Sequence, residues 1–237
     1  MAGETAKSEA VCLAIRPWSR TSHVVAWLTP RGKVVTVVKG AVRPKSFFLG
    51  QYDLNYTCDI LYYARARGDV HALRECAPRL RRDALRDDFR ALALAGHFRR
   101  LASDYAPAGP DCAAWFSLLE RSLDALAADA ATAAAAPADG AGRRGALVCR
   151  MLRFELEALH LLGLSPEIEA ESGAFHLRGE REIPVSPAVA EWLRRPGAEP
   201  PDSRTPLDAA RAIGVFYRFH LDCAVDARRA VLDVLLR

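Results

Sequence analysis

A change of hydrophobic period near residue 81 predicts an α+β fold in two parts, strands first and helices after. Three observations point to it. Up to residue 80, short apolar runs alternate or fill both faces, and Gly, Pro and Asp separate them. From residue 82, apolar residues recur at three- and four-residue spacing. Charge divides at the same place: residues 1–82 hold 14 Lys and Arg against 6 Asp and Glu, and the remainder holds 19 against 23.

The first strand is read from Val11, Leu13 and Ile15 alternating with Ala10, Cys12 and Ala14 until Arg16-Pro17. His23 to Leu28 and Val34 to Val38 are apolar on both faces, with Pro30-Arg31-Gly32 as the turn of a hairpin. A long strand runs from Leu54 to Arg65, Gly68-Asp69 turns the chain, and Val70 to Glu75 makes the fifth. Five short strands in so few residues, with basic loops, suit a small Greek-key barrel of the OB type over residues 1–80.

Residues 81–237 read as a mostly α-helical domain. Leu85, Phe89 and Leu92, then Leu94, Phe98, Leu101 and Tyr105, mark its first helix. The next presents Trp115, Leu118, Leu119 and Leu126. The alanine tract from Ala127 to Ala141 is expected to be helical at first, to end at Pro137-Ala138-Asp139-Gly140 and to form a surface loop over about 127–143. Another helix follows from about Arg144 to Leu162, with Leu147, Met151, Phe154, Ala158 and Leu161 inward. A small hairpin is expected at 174–185, around Gly179-Glu180. Ser186-Pro187 and Thr205-Pro206 each set a capping hydroxyl before a proline at the first helical position. The last helix carries Ile213, Phe216, Tyr217, Leu221 and Ala224.

Several function classes lose support. Cys12, Cys58, Cys76, Cys112, Cys149 and Cys223 are scattered without a CxxC pair, so they read as small buried hydrophobes in a reducing compartment. No apolar run approaches the ~18 residues of a membrane span, and a cytoplasmic protein is expected. Gly140-Ala-Gly142-Arg-Arg-Gly145 matches GxGxxG formally, but an alanine tract rather than a strand precedes it. It reads as a loop feeding a helix. His97, His160 and His220 lack partners at ligand spacing and read as core or boundary histidines. Glu155 and Glu157 are two apart on a helix and point apart, which does not suit acid–base work. No nucleophile, P-loop or zinc-protease signature occurs. The expectation is a non-enzyme with no catalytic residue, no cofactor and no metal.

The basic residues of the first part form a better candidate. Arg16 and Arg20 flank the first turn, Arg31 and Lys33 the second, and Lys39, Arg43 and Lys45 the third. Cations held at strand ends make a patch of fixed shape that suits a phosphodiester backbone. Trp18, Phe47 and Tyr63 are candidates for base stacking, while Trp27 reads as core. A basic barrel that binds structured RNA or ribosomes, and a protein scaffold with an incidental basic rim, remain alternatives at this point.

The run EAVCLAIRPWSRTSHVVAWLTPRGKVVTVVKGAVRPKSFFLG resembles the opening of the bacterial recombination mediator family RecO. The resemblance centres on Lys39-Gly40-Ala41-Val42-Arg43-Pro44-Lys45-Ser46, where Val42 takes a position that is often basic. It continues more weakly through LRDDFRALALAGHF, MLRFELEALHLLGLSPEI and YRFHL. It implies an OB-fold domain before a helical domain, binding of single- and double-stranded DNA, and annealing of complementary strands. It also implies work with single-stranded DNA-binding protein and RecR, and through them RecA loading in gap repair. A nucleoid-associated monomer with no membrane contact is expected. Many such relatives follow the equivalent of Leu164-Ser165-Pro166-Glu167 with a four-cysteine zinc module. Here IEAESGAFHLRGERE contains no cysteine, so the metal is not carried over and the expected hairpin stands in its place.

Overall fold

The computed structural model describes residues 4–64, 68–135, 140–171, 174–178, 183–195, 199–221 and 225–237. Two compact units divide the chain: Met1–Asp83 with Phe98–Ala125, and Ala84–His97 with Leu126–Arg237.

The first unit is built on β1 (Glu4–Ser19), β2 (Ser22–Thr29), β3 (Gly32–Val38), β4 (Thr57–Ala64) and β5 (Val70–Leu80). These strands close on one another in the order β1-β2-β3-β5-β4. β1 is long enough to serve two neighbours, pairing β4 from Glu4 to Val11 and β2 from Val11 to Ser19. A bulge between Cys12 and Ala14 bends it where the partner changes. Cross-strand partners run from Arg16 through Val24, Val37, Ala72 and Tyr63 back to β1 at Thr5. That stagger lets few strands close, because tilted strands leave room for interior side chains.

Ala10, Cys12, Val25, Trp27, Val38, Cys58, Ile60 and Leu73 fill the interior. Trp27 satisfies its indole N–H on Thr36 Oγ1 at 2.9 Å, so the largest side chain is buried without an orphaned donor. The later half of α1 (Phe89–Tyr105) and the early half of α2 (Cys112–Ala135) belong to the same unit. Arg99 donates to Leu13 O, Cys112 Sγ to Thr29 O at 3.3 Å, and Thr57 Oγ1 to Glu120 Oε1 at 3.0 Å. Arg82 spans the same seam. Its guanidinium donates to Asn55 O at 2.7 Å, Thr57 Oγ1 at 2.9 Å and Asp124 Oδ1 at 2.6 Å.

The second unit adds α3 (Gly140–Leu161), β6 (Glu167–Glu171), β7 (Ala174–Arg178), β8 (Ile183–Val185), α4 (Pro187–Arg194), α5 (Thr205–His220) and α6 (Val225–Leu236). β7 and β8 pair antiparallel as the expected hairpin, whose Gly179-Glu180 turn lies outside the described residues. β6 adds a third strand that the sequence reading lacked. Leu147, Met151, Phe154 and Ala158 of α3 are buried, as are Ile213, Phe216 and Tyr217 of α5.

Several expectations need correction. The loop expected over 127–143 is helix on both sides: α2 continues to Ala135 and α3 already starts at Gly140. Alanine is the strongest helix former, and low complexity does not weaken that propensity. The GxGxxG run therefore lies within the first turns of α3. Phe89 is 73% exposed and Leu161 36%, so neither points inward as the period suggested. Ser186 caps α4 by accepting from Val189 N at 3.3 Å, but Thr205 does not cap α5. There Asp202 Oδ1 accepts from Thr205 N at 2.7 Å and from the Thr205 hydroxyl at 3.0 Å. The last expected helix is followed by another, α6.

Candidate nucleic-acid interface

Between Val38 and Thr57 the chain forms no regular element but a series of turns. Arg43 N donates to Gly40 O, Ser46 N to Arg43 O, Leu49 N to Ser46 O and Gln51 N to Phe48 O, at 2.9–3.3 Å. Gly40 opens the series at φ 66°, a left-handed conformation glycine adopts without steric cost. A Cβ there would stand 3.2 Å from Arg43 Cδ, so the missing side chain also lets Arg43 fold back over the turn.

Two anchors tie the loop to the barrel. Phe48 and Tyr52 pack against the interior cluster, and Ala41 is part of it. Tyr52 lies edge-on to Trp27 and its hydroxyl is 2.8 Å from His23 Nδ1. Burial, with the nearby Cys12, Cys76 and Asp53 in support, pushes the Tyr52 hydroxyl well above the ordinary tyrosine value. It stays neutral and keeps its proton for hydrogen bonding. Gln51 O meets the thiols of Cys58 and Cys76, each at 3.6 Å. A side-chain hydrogen bond with Cys58, and then burial, push the Cys76 thiol far up, and burial does the same to Cys12. The Cys76 and Cys12 thiols stay protonated and serve packing.

The loop is joined directly to the β1–β2 turn. Gly40 N donates to Ser22 Oγ at 3.2 Å and Val42 N to Thr21 O at 3.3 Å. Arg20 in that turn, Arg16 on the adjoining end of β1, and Lys39, Arg43 and Lys45 of the loop thus share one end of the barrel. All five are exposed, and none has an ion-pair partner among the described residues. Two rings stand out of the same region. Trp18 is the unpaired residue of a bulge between Pro17 and Ser19 and is 67% exposed, and Phe47 is 94% exposed. Phe47 and Phe48 are adjacent in sequence but opposite in role, one outside and one an anchor.

Arg31 and Lys33 are not part of this cluster. Register puts the β2–β3 turn at the far end of an eight-residue strand, about 23 Å from the β1–β2 turn. There Lys33 Nζ donates to Ser103 O at 2.9 Å near the C-terminus of α1, and Arg31 O accepts from Gly109 N at 2.9 Å. Gly32 lies against this connection: a Cβ on it would stand 3.4 Å from the Ala108 backbone. Tyr63, 41% exposed, sits on β4 under the guanidinium of Arg74, which is 5.5 Å from its ring centroid. The sequence reading missed Arg74; it follows three residues with no cationic neighbour and carries no local signal.

With this geometry in place, known proteins provide a comparison. No family model matches the chain. The DNA repair protein RecO of Moorella thermoacetica (strain ATCC 39073 / JCM 9320) is 27% identical over 189 residues, 79% of this chain. The chain is similar to a DNA repair protein. It spans 64% of the length of that curated relative. Among the described residues no helix is long and apolar enough to cross a membrane, and no group of three His, Cys, Asp or Glu is placed to hold a metal ion.

Proposed function

We propose that this chain is a non-enzymatic DNA-repair and recombination mediator of the RecO type. It binds single- and double-stranded DNA, anneals complementary strands and, with RecR, helps load RecA on single strands coated by single-stranded DNA-binding protein. The observation that carries this reading is the gathering of Arg16, Arg20, Lys39, Arg43 and Lys45 at one end of the barrel, beside two exposed rings. The likeness to the Moorella protein supports it. The closed five-stranded topology and its stagger favour an OB-type barrel.

The mechanism is charge neutralisation. Two strands repel through their phosphates, and cations that engage both remove that barrier while releasing condensed counterions. Trp18 and Phe47 stack on unpaired bases and leave hydrogen-bonding edges free for a complementary strand. Arg31 and Lys33 contribute less, since one end of the hairpin is far from the other. The helical part, 81–237 and acidic overall, docks the protein partners. We place the protein in the cytoplasm on the nucleoid, acting as a monomer.

If all five cations meet phosphates, log affinity for a single strand falls against log salt with a slope of about −3.5. Lys39→Glu with Arg43→Glu weakens binding on every sequence and flattens the slope by about 1.4. Annealing of DNA coated with single-stranded DNA-binding protein falls in parallel. An unchanged slope rejects the cluster as the binding site. An RNA competitor of equal length that displaces the DNA equally well points instead to an RNA-binding module.

A further inference from the structure

Phe47 is the most exposed large apolar side chain among the described residues. At 94% exposure both faces of its ring are open, whereas Trp18, at 67%, keeps part of its surface against the protein. A ring with a shelf behind it caps one base; a ring with both faces free fits between two. Val42 and Leu49, in the same loop, are half-exposed as well. These aliphatic side chains have no π-face to stack on a base, but they fill space beside one that has been parted from its neighbour.

The backbone that carries this ring is fixed on both sides. Ser46 N donates to Arg43 O at 2.9 Å and Leu49 N to Ser46 O at 3.3 Å. Ser46 Oγ accepts from Phe48 N at 3.2 Å. Phe48 packs against the interior cluster of the barrel, so the residue next to the exposed ring is its root. Such a root matters, because a ring on a loose loop folds against a base stack instead of parting it. Charge surrounds the tip. Arg43 and Lys45 precede Phe47 in the loop, and Arg16, Arg20 and Lys39 share the same end of the barrel. All of these cations are exposed and lack an ion-pair partner among the described residues.

We propose that Phe47 is a wedge that enters a base step of duplex DNA, unstacks it and kinks the helix, with Leu49 filling the opened side. The proposal rests on the DNA-binding reading above and gives it a distinct duplex mode. Charge identifies the occupant. An apolar tip ringed by unpaired cations matches a polyanion with an apolar interior, and a duplex keeps phosphates outside and base faces inside. An apolar protein groove would leave the surrounding cations unmatched. Wedges of Phe or Leu accompanied by Arg and Lys bend DNA by about 20–90°. Parting the stack costs least where pairing is already imperfect, so a mismatched step is the preferred point of entry.

The test is energy transfer between dyes at the two ends of a duplex of about 20 base pairs, with the full chain at saturation. Binding shortens the end-to-end distance, and a central mismatch raises affinity about tenfold. Phe47→Ala leaves the saturated duplex straight and removes the mismatch preference, while the salt slope keeps its wild-type value. Phe47→Leu retains the bend, because an aliphatic side chain also parts a base step. It nevertheless binds single strands about tenfold more weakly, as Phe47→Ala does, since both lack a ring to stack. The side chain is exposed, and unchanged melting temperatures verify intact folding. The wedge is overturned if the wild-type chain binds duplex without shortening it, or if Phe47→Ala bends it equally. It is also overturned if Phe47→Leu leaves the duplex as straight as Phe47→Ala does. In each case the DNA-binding reading survives as long as Lys39→Glu with Arg43→Glu still weakens binding. A wild-type chain that binds neither duplex nor single strand overturns both.

Discussion

At the scale of residues, Glu155 explains a glycine. The carboxylate is wholly buried on α3, with His97 Nε2 at 2.8 Å from Oε1 and Arg228 Nε and Nη2 at 2.9 Å from its two oxygens. Burial by itself pushes the carboxyl up, but the Arg228 guanidinium and the His97 ring outweigh it and hold the group below the ordinary glutamate value. A depressed folded value contributes stability above the unfolded value, about 4.3, and loses it as pH falls through the folded one. Glu155→Gln strands a buried guanidinium and lowers stability by about 3–5 kcal/mol, removing part of the acid-side slope. Denaturant melts at a series of pH values measure both effects. Arg228 uses Nε and Nη2 on the carboxylate, so Nη1 is fixed, and a Cβ on Gly214 would stand 2.7 Å from it. Helix propensity alone makes Gly214→Ala a gain of about 1 kcal/mol, whereas the clash makes it a loss. A raised melting temperature rejects the clash. None of this was legible beforehand. The sequence shows Glu155 beside Glu157, while its partners lie 58 and 73 positions away.

Among elements, the β2–β3 hairpin was legible and the consequence of its geometry was not. Pro30 and Arg31 mark a turn plainly, yet only register reveals that this turn and the β1–β2 turn occupy opposite ends of β2. The seven cations expected at turns therefore divide into five and two. The alanine tract is the reverse case: its local helix propensity carries α2 on to Ala135, and its low complexity marks no loop there. Ala131 is exposed on α2, so Ala131→Gly lowers stability by about 1 kcal/mol if this stretch is helical and leaves it unchanged in a loop. A thermal melt decides. The loop after β3 is held by packing rather than by regular hydrogen bonding, so its anchors set how rigidly the cations are presented. Tyr52→Phe deletes the contact to His23 at a cost of about 1 kcal/mol and leaves every charge in place. DNA affinity then falls while the salt slope keeps its wild-type value; a flattened slope implicates lost phosphate contacts instead.

For the whole molecule, the fold class could be read early because the two periods of secondary structure and the charge balance change together near residue 81. The compact units do not follow that line. Residues 98–125 belong with the barrel because small apolar strands leave an outer surface to cover. Leu28, Thr29, Leu13 and Thr57 are all buried, though β-strand alternation alone turns some of them away from the barrel interior. The seam is polar as well as apolar: Arg99 serves Leu13 O, Cys112 serves Thr29 O, and Glu120 and Asp124 meet Thr57 and Arg82. A fragment of residues 1–83 loses every one of these partners and leaves Arg82 without its carboxylate. It is expected to unfold without a cooperative transition and to expose apolar surface to a hydrophobic dye. A fragment of residues 1–125 keeps the seam and is expected to melt cooperatively, since its cover travels with it. Equal, sharp transitions in both fragments would mean that the barrel needs no cover, and the burial of its outer face would then be incidental to its stability.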